Sequence, residues 1–258
     1  MRFPAPLLRP IVRSLAVAVG LALPPRCPGC GGVVGLDHRF CATCWQSLRF
    51  VAPPWCAGCN IPFTHDRGEG ARCADCLARP PRHAGIRAAV AYGPIARRLV
   101  LRLKYGSRPA FAITAARAMV RWVPESCDLL VPVPLHRSRL WRRGFNQAAL
   151  IATAIGRGSG VAADARLLER HRRTPVLRGM GGKERAAAVW AAFRIAPGAR
   201  ERLKGRHVAL VDDVYTSGAT TDACTAVLLR AGAASVTILC WARVLGEEGE
   251  WTGDGADW

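Results

Sequence analysis

Two adjacent carboxylates, Asp212 and Asp213, follow the apolar run Val208-Ala209-Leu210-Val211. They precede a turn of hydroxyls and glycine, Thr216-Ser217-Gly218-Ala219-Thr220. Ionised carboxylates only accept hydrogen bonds, so such a pair matches the hydroxyls of a sugar. A glycine- and hydroxyl-rich turn that opens a helix offers backbone N–H groups at the positive end of the helix dipole, which favours an anion such as phosphate. In this order the two parts suit a ribose 5-phosphate. The competing reading is a plain strand–turn–helix corner in which the acids cap the helix together with Thr216 or Ser217. The sugar-phosphate reading requires both carboxylates to face the turn, not packed interior or open solvent.

Eight of the eleven cysteines form four Cys-x-x-Cys pairs: Cys27/Cys30, Cys41/Cys44, Cys56/Cys59 and Cys73/Cys76. Each pair can converge two thiolates on one metal, and two pairs complete a tetrahedral site. The set also repeats, since Cys-Pro-Gly-Cys-Gly is echoed by Cys-Ala-Gly-Cys-Asn. A repeated four-cysteine unit predicts two structural Zn2+ sites. Sequential pairing (27/30/41/44 and 56/59/73/76) is the simpler arrangement, and an interleaved one stays open. Four disulfides or a redox Cys-x-x-Cys are the alternatives for the same residues. His38 and His65 lie inside this region as substitute ligands, although eight thiols already fill two sites. Cys127, Cys224 and Cys240 sit in apolar stretches and read as buried thiols.

Further along, Pro132-Val133-Pro134 interrupts an apolar run, and His136, Arg137 and Arg139 follow with charge suited to a pyrophosphate or similar anion. Arg142, Arg143, Asn146 and Gln147 open the next helix and either meet ligand or cap it. The stretch Gly179–Glu184 imitates a phosphate-binding P-loop but has Leu177 and Glu184 where that motif needs glycine and a hydroxyl. It reads instead as a mobile loop able to close over a site, with Arg172, Arg173, Thr174, Lys183 and Arg185 as candidate contacts. No Ser/His/Asp or Cys/His catalytic arrangement is visible in the sequence.

The 208–220 segment resembles the phosphoribosyl-diphosphate (PRPP) signature of type I phosphoribosyltransferases. Preceded by a double zinc ribbon, it resembles the ComF family of competence-associated bacterial proteins. The likeness runs from about Pro24 to Val244 and includes Leu130–His136, Arg142–Gln147 and the closing Trp241-Ala242-Arg243. The resemblance implies that Asp212 and Asp213, the catalytic acids, hold the ribose hydroxyls. Thr216, Ser217, Gly218, Ala219 and Thr220 would cradle the 5-phosphate. Pro132, Val133, His136, Arg137 and Arg143 would bind the pyrophosphate of Mg2+-bound PRPP. Relatives carry glutamine and asparagine where this chain has Leu177 and Ala188, which puts full loop closure and turnover in question. The resemblance further implies a cytoplasmic protein serving DNA uptake, with a helicase or recombination protein as partner. The alternative is a non-catalytic adaptor that holds single-stranded DNA on its zinc ribbons and basic surface, with Trp45, Phe50 and Trp55 stacking on bases unless they fill the ribbon core.

The elements that must position these residues follow an α/β pattern from residue 86 onward. Strands are expected at Arg87–Tyr92, Leu129–Val133, Val208–Val211 and Val236–Trp241. Helices are expected at Pro94–Leu103, Phe111–Trp122, Phe145–Gly156 and Ala219–Ala231, the last closed by Gly232. The fold expected is an α/β phosphoribosyltransferase-like domain (83–245) with a central sheet of about five strands, preceded by the double zinc ribbon (27–82). Residues 1–26 read as an apolar helix packing on the ribbon or the larger domain, with a signal peptide as the alternative, and the apolar stretch is too short to span a bilayer comfortably, so no membrane span is expected. Residues 246–258 read as a disordered acidic tail. The chain of 258 residues has a net charge of +19, and its tail holds five acids and no Lys or Arg, so the remainder carries +24. Such a surface attracts polyanions, pyrophosphate-bearing substrates and nucleic acid alike.

Overall fold

A computed structural model describes residues 24–105, 108–172 and 190–245. The N-terminal apolar stretch to residue 23, the Gly-rich loop with Leu177, Ala188, Arg173, Thr174, Lys183 and Arg185, and the acidic tail lie outside the described residues.

Each cysteine ribbon contributes a one-turn helix, α1 (Ala42–Gln46) and α2 (Ala74–Ala78). The larger domain runs β1 (Gly85–Ala91), α3 (Pro94–Tyr105), α4 (Phe111–Met119), β2 (Leu129–Pro132), α5 (Arg137–Arg143) and α6 (Gln147–Ser159). It continues through β3 (Leu168–Arg170), β4 (Phe193–Ile195), β5 (His207–Tyr215), α7 (Ala219–Arg230) and β6 (Ser235–Arg243). Four strands form a parallel sheet in the order β1-β6-β5-β2. The two central strands are the two longest. Their near-continuous apolar runs meet the demand of a sheet covered on both faces. One cover is built by α3, α4 and α6, whose Leu99, Leu103, Met119 and Ile151 pack with Ala209, Val211 and Leu239. The other is built by α7 with β3 and β4, where Leu228 and Phe193 meet Val208, Leu210 and Ile238.

The sheet has four strands among the described residues, where about five were expected. The short strands β3 and β4 pair antiparallel with each other in a separate two-stranded sheet. Strand β5 runs to Tyr215, past its apolar core, so the acid pair lies within the ladder and not after it. Pro132 is tolerated inside β2 because β2 is an outer strand of this sheet. Gly232 (φ +109) follows Ala231, the last capping residue of α7, and ends that helix as expected.

The ribbons are built into the larger domain. Arg49–Val51 runs antiparallel along β1, with Val51 N–H donating to the Ala89 carbonyl at 3.1 Å and Ala91 N–H to that of Arg49 at 2.7 Å. The second ribbon continues the contact: Ile86 N–H donates to Gly58 O (3.0 Å), and Ala88 N–H to Oδ1 of the fully buried Asn60 (2.8 Å). Arg102 of α3 donates to the carbonyls of Cys27 and Pro28 and so grips the first ribbon.

Candidate functional site

The thiols settle the question of pairing. Cys27, Cys30, Cys41 and Cys44 place their Sγ atoms within 4.8 Å of one another, and Cys56, Cys59, Cys73 and Cys76 do the same. Cys30 and Cys41 are 3.7 Å apart and Cys59 and Cys73 3.6 Å. A tetrahedron with Zn–S bonds of about 2.3 Å has S···S edges of roughly 3.8 Å, so both tetrads fit the ion, paired in sequence order. Backbone amides turn toward the sulfurs: Cys41 and Cys73 N–H donate to Cys27 and Cys56 Sγ at 3.3 Å. Burial pushes these two thiols up, but the N–H bonds overcome it and bring each down to about 6, whereas burial and the neighbouring sulfurs push Cys44, Cys59 and Cys76 up. His38 and His65 stand outside both tetrads.

At the carboxyl end of the sheet the acid pair divides. Asp213 turns inward, 4% exposed, and its Oδ2 lies 2.9 Å from Nζ of Lys104, itself 7% exposed. Asp212 keeps part of its surface, and its Oδ1 accepts the N–H of Asp213 at 2.8 Å. Enclosure by protein and the charge of Asp213 push its pKa up to about 8, with Lys104 pulling the other way. Of the requirement that both acids face the turn, Asp212 alone satisfies the part that concerns accessibility.

The turn has the shape expected of an anion cradle. Gly218 is the N-cap of α7, with a left-handed φ of 81° and no side-chain cap, while Thr216 and Ser217 are exposed. A side chain at 218 would put its Cβ almost on the Tyr215 hydroxyl, so glycine is required both by its φ and by this close approach. Thr221 spends its hydroxyl on the Gly218 carbonyl at 2.9 Å. Ala219 and Thr220 are half-buried at the helix entrance.

The 132–147 segment closes beside it. Pro132 pairs in register with Val211, and Val133 N–H donates to the Val211 carbonyl. His136 caps α5, accepting from Ser138 N–H at 3.3 Å, and its backbone bridges to Arg170 of β3. Arg137 is exposed, whereas Arg143 bonds Gln147 Oε1 at 2.6 Å and lies over the Tyr105 ring. Asn146 caps α6 and holds the Val133 carbonyl, so Asn146 and Gln147 serve local structure. The half-buried Arg170 stands between the charges of Arg139 and Asp212. Sequence reasoning passed over Lys104 and Arg170, though Lys104 falls four residues after the buried Val100 on the inner face of α3. A shallow concavity of about 340 Å³, lined by Ile195, Arg200, Val227 and Arg230, sits at the far end of α7 from the turn.

Among the ribbon aromatics, Trp45 and Phe50 pair at 4.6 Å, and Trp55 packs edge-on against Trp122 of the larger domain at 4.9 Å. Trp141 of α5, which the sequence did not single out, is 93% exposed and is flanked by Arg139, Arg142 and Arg143. No helix among the described residues is long and apolar enough to cross a membrane.

Residues 18–77 match the family model of a double zinc ribbon domain. Over 234 residues the chain is 30% identical to DNA utilization protein YhgH of Escherichia coli K12, covering 87% of this chain and all of that one. It is 26% identical to Competence protein F of Haemophilus influenzae, with 84% and 96% covered. It is likewise 26% identical to Competence protein ComFC of Bacillus subtilis, with 78% and 82% covered. Among solved structures, TT1426 from Thermus thermophilus aligns with a TM-score of 0.32 at 17% identity, over 55% of this chain and 85% of that one. An α/β domain on a parallel sheet, two cysteine tetrads ahead of it and a full-length relative at this identity place the chain in the ComF family.

Proposed function

We propose that the protein binds Mg2+-PRPP at the carboxyl end of β5 and carries out phosphoribosyltransferase-type chemistry there in the service of DNA uptake. The observation that carries this reading is the uncapped, left-handed entrance to α7 on the turn that follows the half-buried Asp212 at the end of β5. Thr216 to Thr220 receive the 5-phosphate through N–H groups and hydroxyls. Asp212 accepts a ribose hydroxyl, and Asp213, seated on Lys104, fixes the strand end that presents it. The Mg2+ that accompanies pyrophosphate would neutralise part of the leaving group. Pro132 and Val133 shape the neighbouring loop, and His136, Arg137 and Arg143 lend it positive charge. As pyrophosphate departs from ribose C1, positive charge grows on the ring, and Asp212 in its ionised form, which gains population as pH approaches 8, stabilises it from a fixed position. The protein is cytoplasmic in this reading.

Calorimetry with Mg2+-PRPP on zinc-loaded protein tests it. Binding is expected, and Asp212→Asn should weaken it about 10- to 100-fold, the worth of a hydrogen bond to a charged group. Binding that ignores this change would overturn the site.

A second reading has an observation of its own, the exposed Trp141 among arginines. An indole open to solvent beside guanidinium groups is a stacking platform for single-stranded DNA, so the protein would act as an adaptor to a helicase or recombination protein. DNA binding that falls steeply with salt and survives Asp212→Asn with Asp213→Asn favours the adaptor. Pyrophosphate release that the same change abolishes favours the enzyme.

A further inference from the structure

Helix α5 carries four arginines in seven residues, Arg137, Arg139, Arg142 and Arg143, and no acid. Arg137, Leu140 and Trp141 recur at the spacing that shares one helix face, and all three are exposed. Trp141 is 93% and Leu140 43% exposed, an apolar pair that the described fold leaves uncovered. Among the described residues neither Arg137 nor Arg142 has a carboxylate partner. A face that joins an uncovered indole to unmatched guanidinium groups fits a segment that is acidic and aromatic at once. Residues 246–258 are such a segment: Glu247, Glu248, Glu250, Asp254 and Asp257 stand with Trp251 and Trp258, and no Lys or Arg. Their point of departure lies on the same edge of the sheet as α5. Strand β6 ends at Arg243, in register with Tyr215, and Val244 N–H donates to the Tyr215 carbonyl at 3.0 Å. Strand β2 lies two places along the same parallel sheet, about 10 Å to the side at ~4.8 Å per strand, and α5 opens five residues after its last residue, Pro132. Trp251 is seven residues beyond Val244, a reach of up to about 23 Å.

We infer that residues 246–258 dock on the outer face of α5, with Trp251 against Leu140 and Trp141 and the glutamates before it on Arg137 and Arg142, so that the chain covers its own polyanion-binding surface. A tethered segment meets its target at an effective concentration of about millimolar, so even a weak contact keeps the face closed. Nucleic acid must then displace the tail, phosphate for carboxylate. Only that competition rests on the adaptor reading; the docking stands apart from it.

The test uses the full chain loaded with zinc. In one variant the five acids are neutralised (Glu247→Gln, Glu248→Gln, Glu250→Gln, Asp254→Asn, Asp257→Asn). In a second, Trp251→Ser with Trp258→Ser keeps every charge. Hydrogen exchange of the 138–143 amides should speed up about 10-fold in both, while that of 208–214 in β5 stays as in wild type. A fluorescein-labelled peptide of residues 245–258 should bind the neutralised variant with a Kd below about 1 mM. It should bind wild type at least about 10-fold more weakly, since the wild-type tail already holds the face. Adding Trp141→Ala to the neutralised variant should weaken the peptide by about 10-fold or more, the usual effect of removing a central aromatic anchor. In anisotropy with a labelled oligothymidylate, both tail variants should bind about 10-fold more tightly than wild type. Unchanged 138–143 exchange in the neutralised variant, or peptide binding indifferent to Trp141→Ala, overturns the inference. So does a Trp251→Ser/Trp258→Ser protein that behaves as wild type, because charge alone then explains the effect. If exchange and peptide respond as expected while the protein ignores the oligonucleotide, the adaptor reading fails and the docked tail stands.

Discussion

Replacing Lys104 by Met removes one half of an ion pair whose partners are 7% and 5% exposed and 2.9 Å apart. At an effective dielectric constant of about 20, two unit charges at that distance attract by roughly 6 kcal/mol. Desolvation offsets much of this, so the net worth of the pair is small, but the single change leaves the Asp213 carboxylate buried and alone. The expected loss is about 3–5 kcal/mol of unfolding free energy. Combining Lys104→Met with Asp213→Asn removes the stranded charge and should recover at least half of it. Urea unfolding followed by tryptophan fluorescence reads both values, with the slope checked for constancy. A Lys104→Met protein within about 1 kcal/mol of wild type, or a double variant no more stable than the single, would show that the pair does not carry the charge balance at the strand end. The double variant also separates folding from binding. If it still binds Mg2+-PRPP, Asp213 makes no direct contact with the ligand.

Because Asp212 is held up at about 8, well above its unfolded value near 3.8, the folded state keeps a proton that the unfolded state has released. Stability should therefore fall as pH rises between those limits, and Asp212→Asn should flatten thermal melts over that window. Gly218→Ala should cost at least 1–2 kcal/mol for its left-handed backbone alone, with more from the contact with Tyr215, and thermal unfolding would report it. Trp141→Ala should leave the melting temperature unchanged yet weaken single-stranded DNA binding by about 1–3 kcal/mol if α5 is a stacking platform, measured by fluorescence anisotropy.

Much of this was legible in the residues because it is local. The four cysteine pairs could converge only on metal or on one another, and their repeat anticipated the sequential tetrads that the structure forms. The apolar runs at 208–211 and 236–241 gave the two central strands, since a strand covered on both faces leaves a continuous signature. Strands β3 and β4 have three residues each, too short for any period to emerge. Helix α5 leaves no such signature because Arg137–Arg143 shows no apolar face; only Leu140 and Trp141 interrupt its polar residues, and both are exposed. The division of Asp212 from Asp213 was hidden for another reason. It depends on Lys104, more than a hundred residues away, and on which face of the ladder each carboxylate takes. Arg243 and Tyr215 meet across neighbouring strands, a relation that register alone reveals.

The seam between the ribbons and β1 has a consequence for cells short of metal. Arg49–Val51, Gly58 and Asn60 together occupy hydrogen-bonding groups along the outer side of β1 that would otherwise be open. Small metal-held modules unravel when the ion leaves. Their departure would expose a long apolar strand margin, the kind of surface on which chains add to one another. Zinc starvation would then register first as self-association of an otherwise intact domain, visible by light scattering before any helix or sheet is lost.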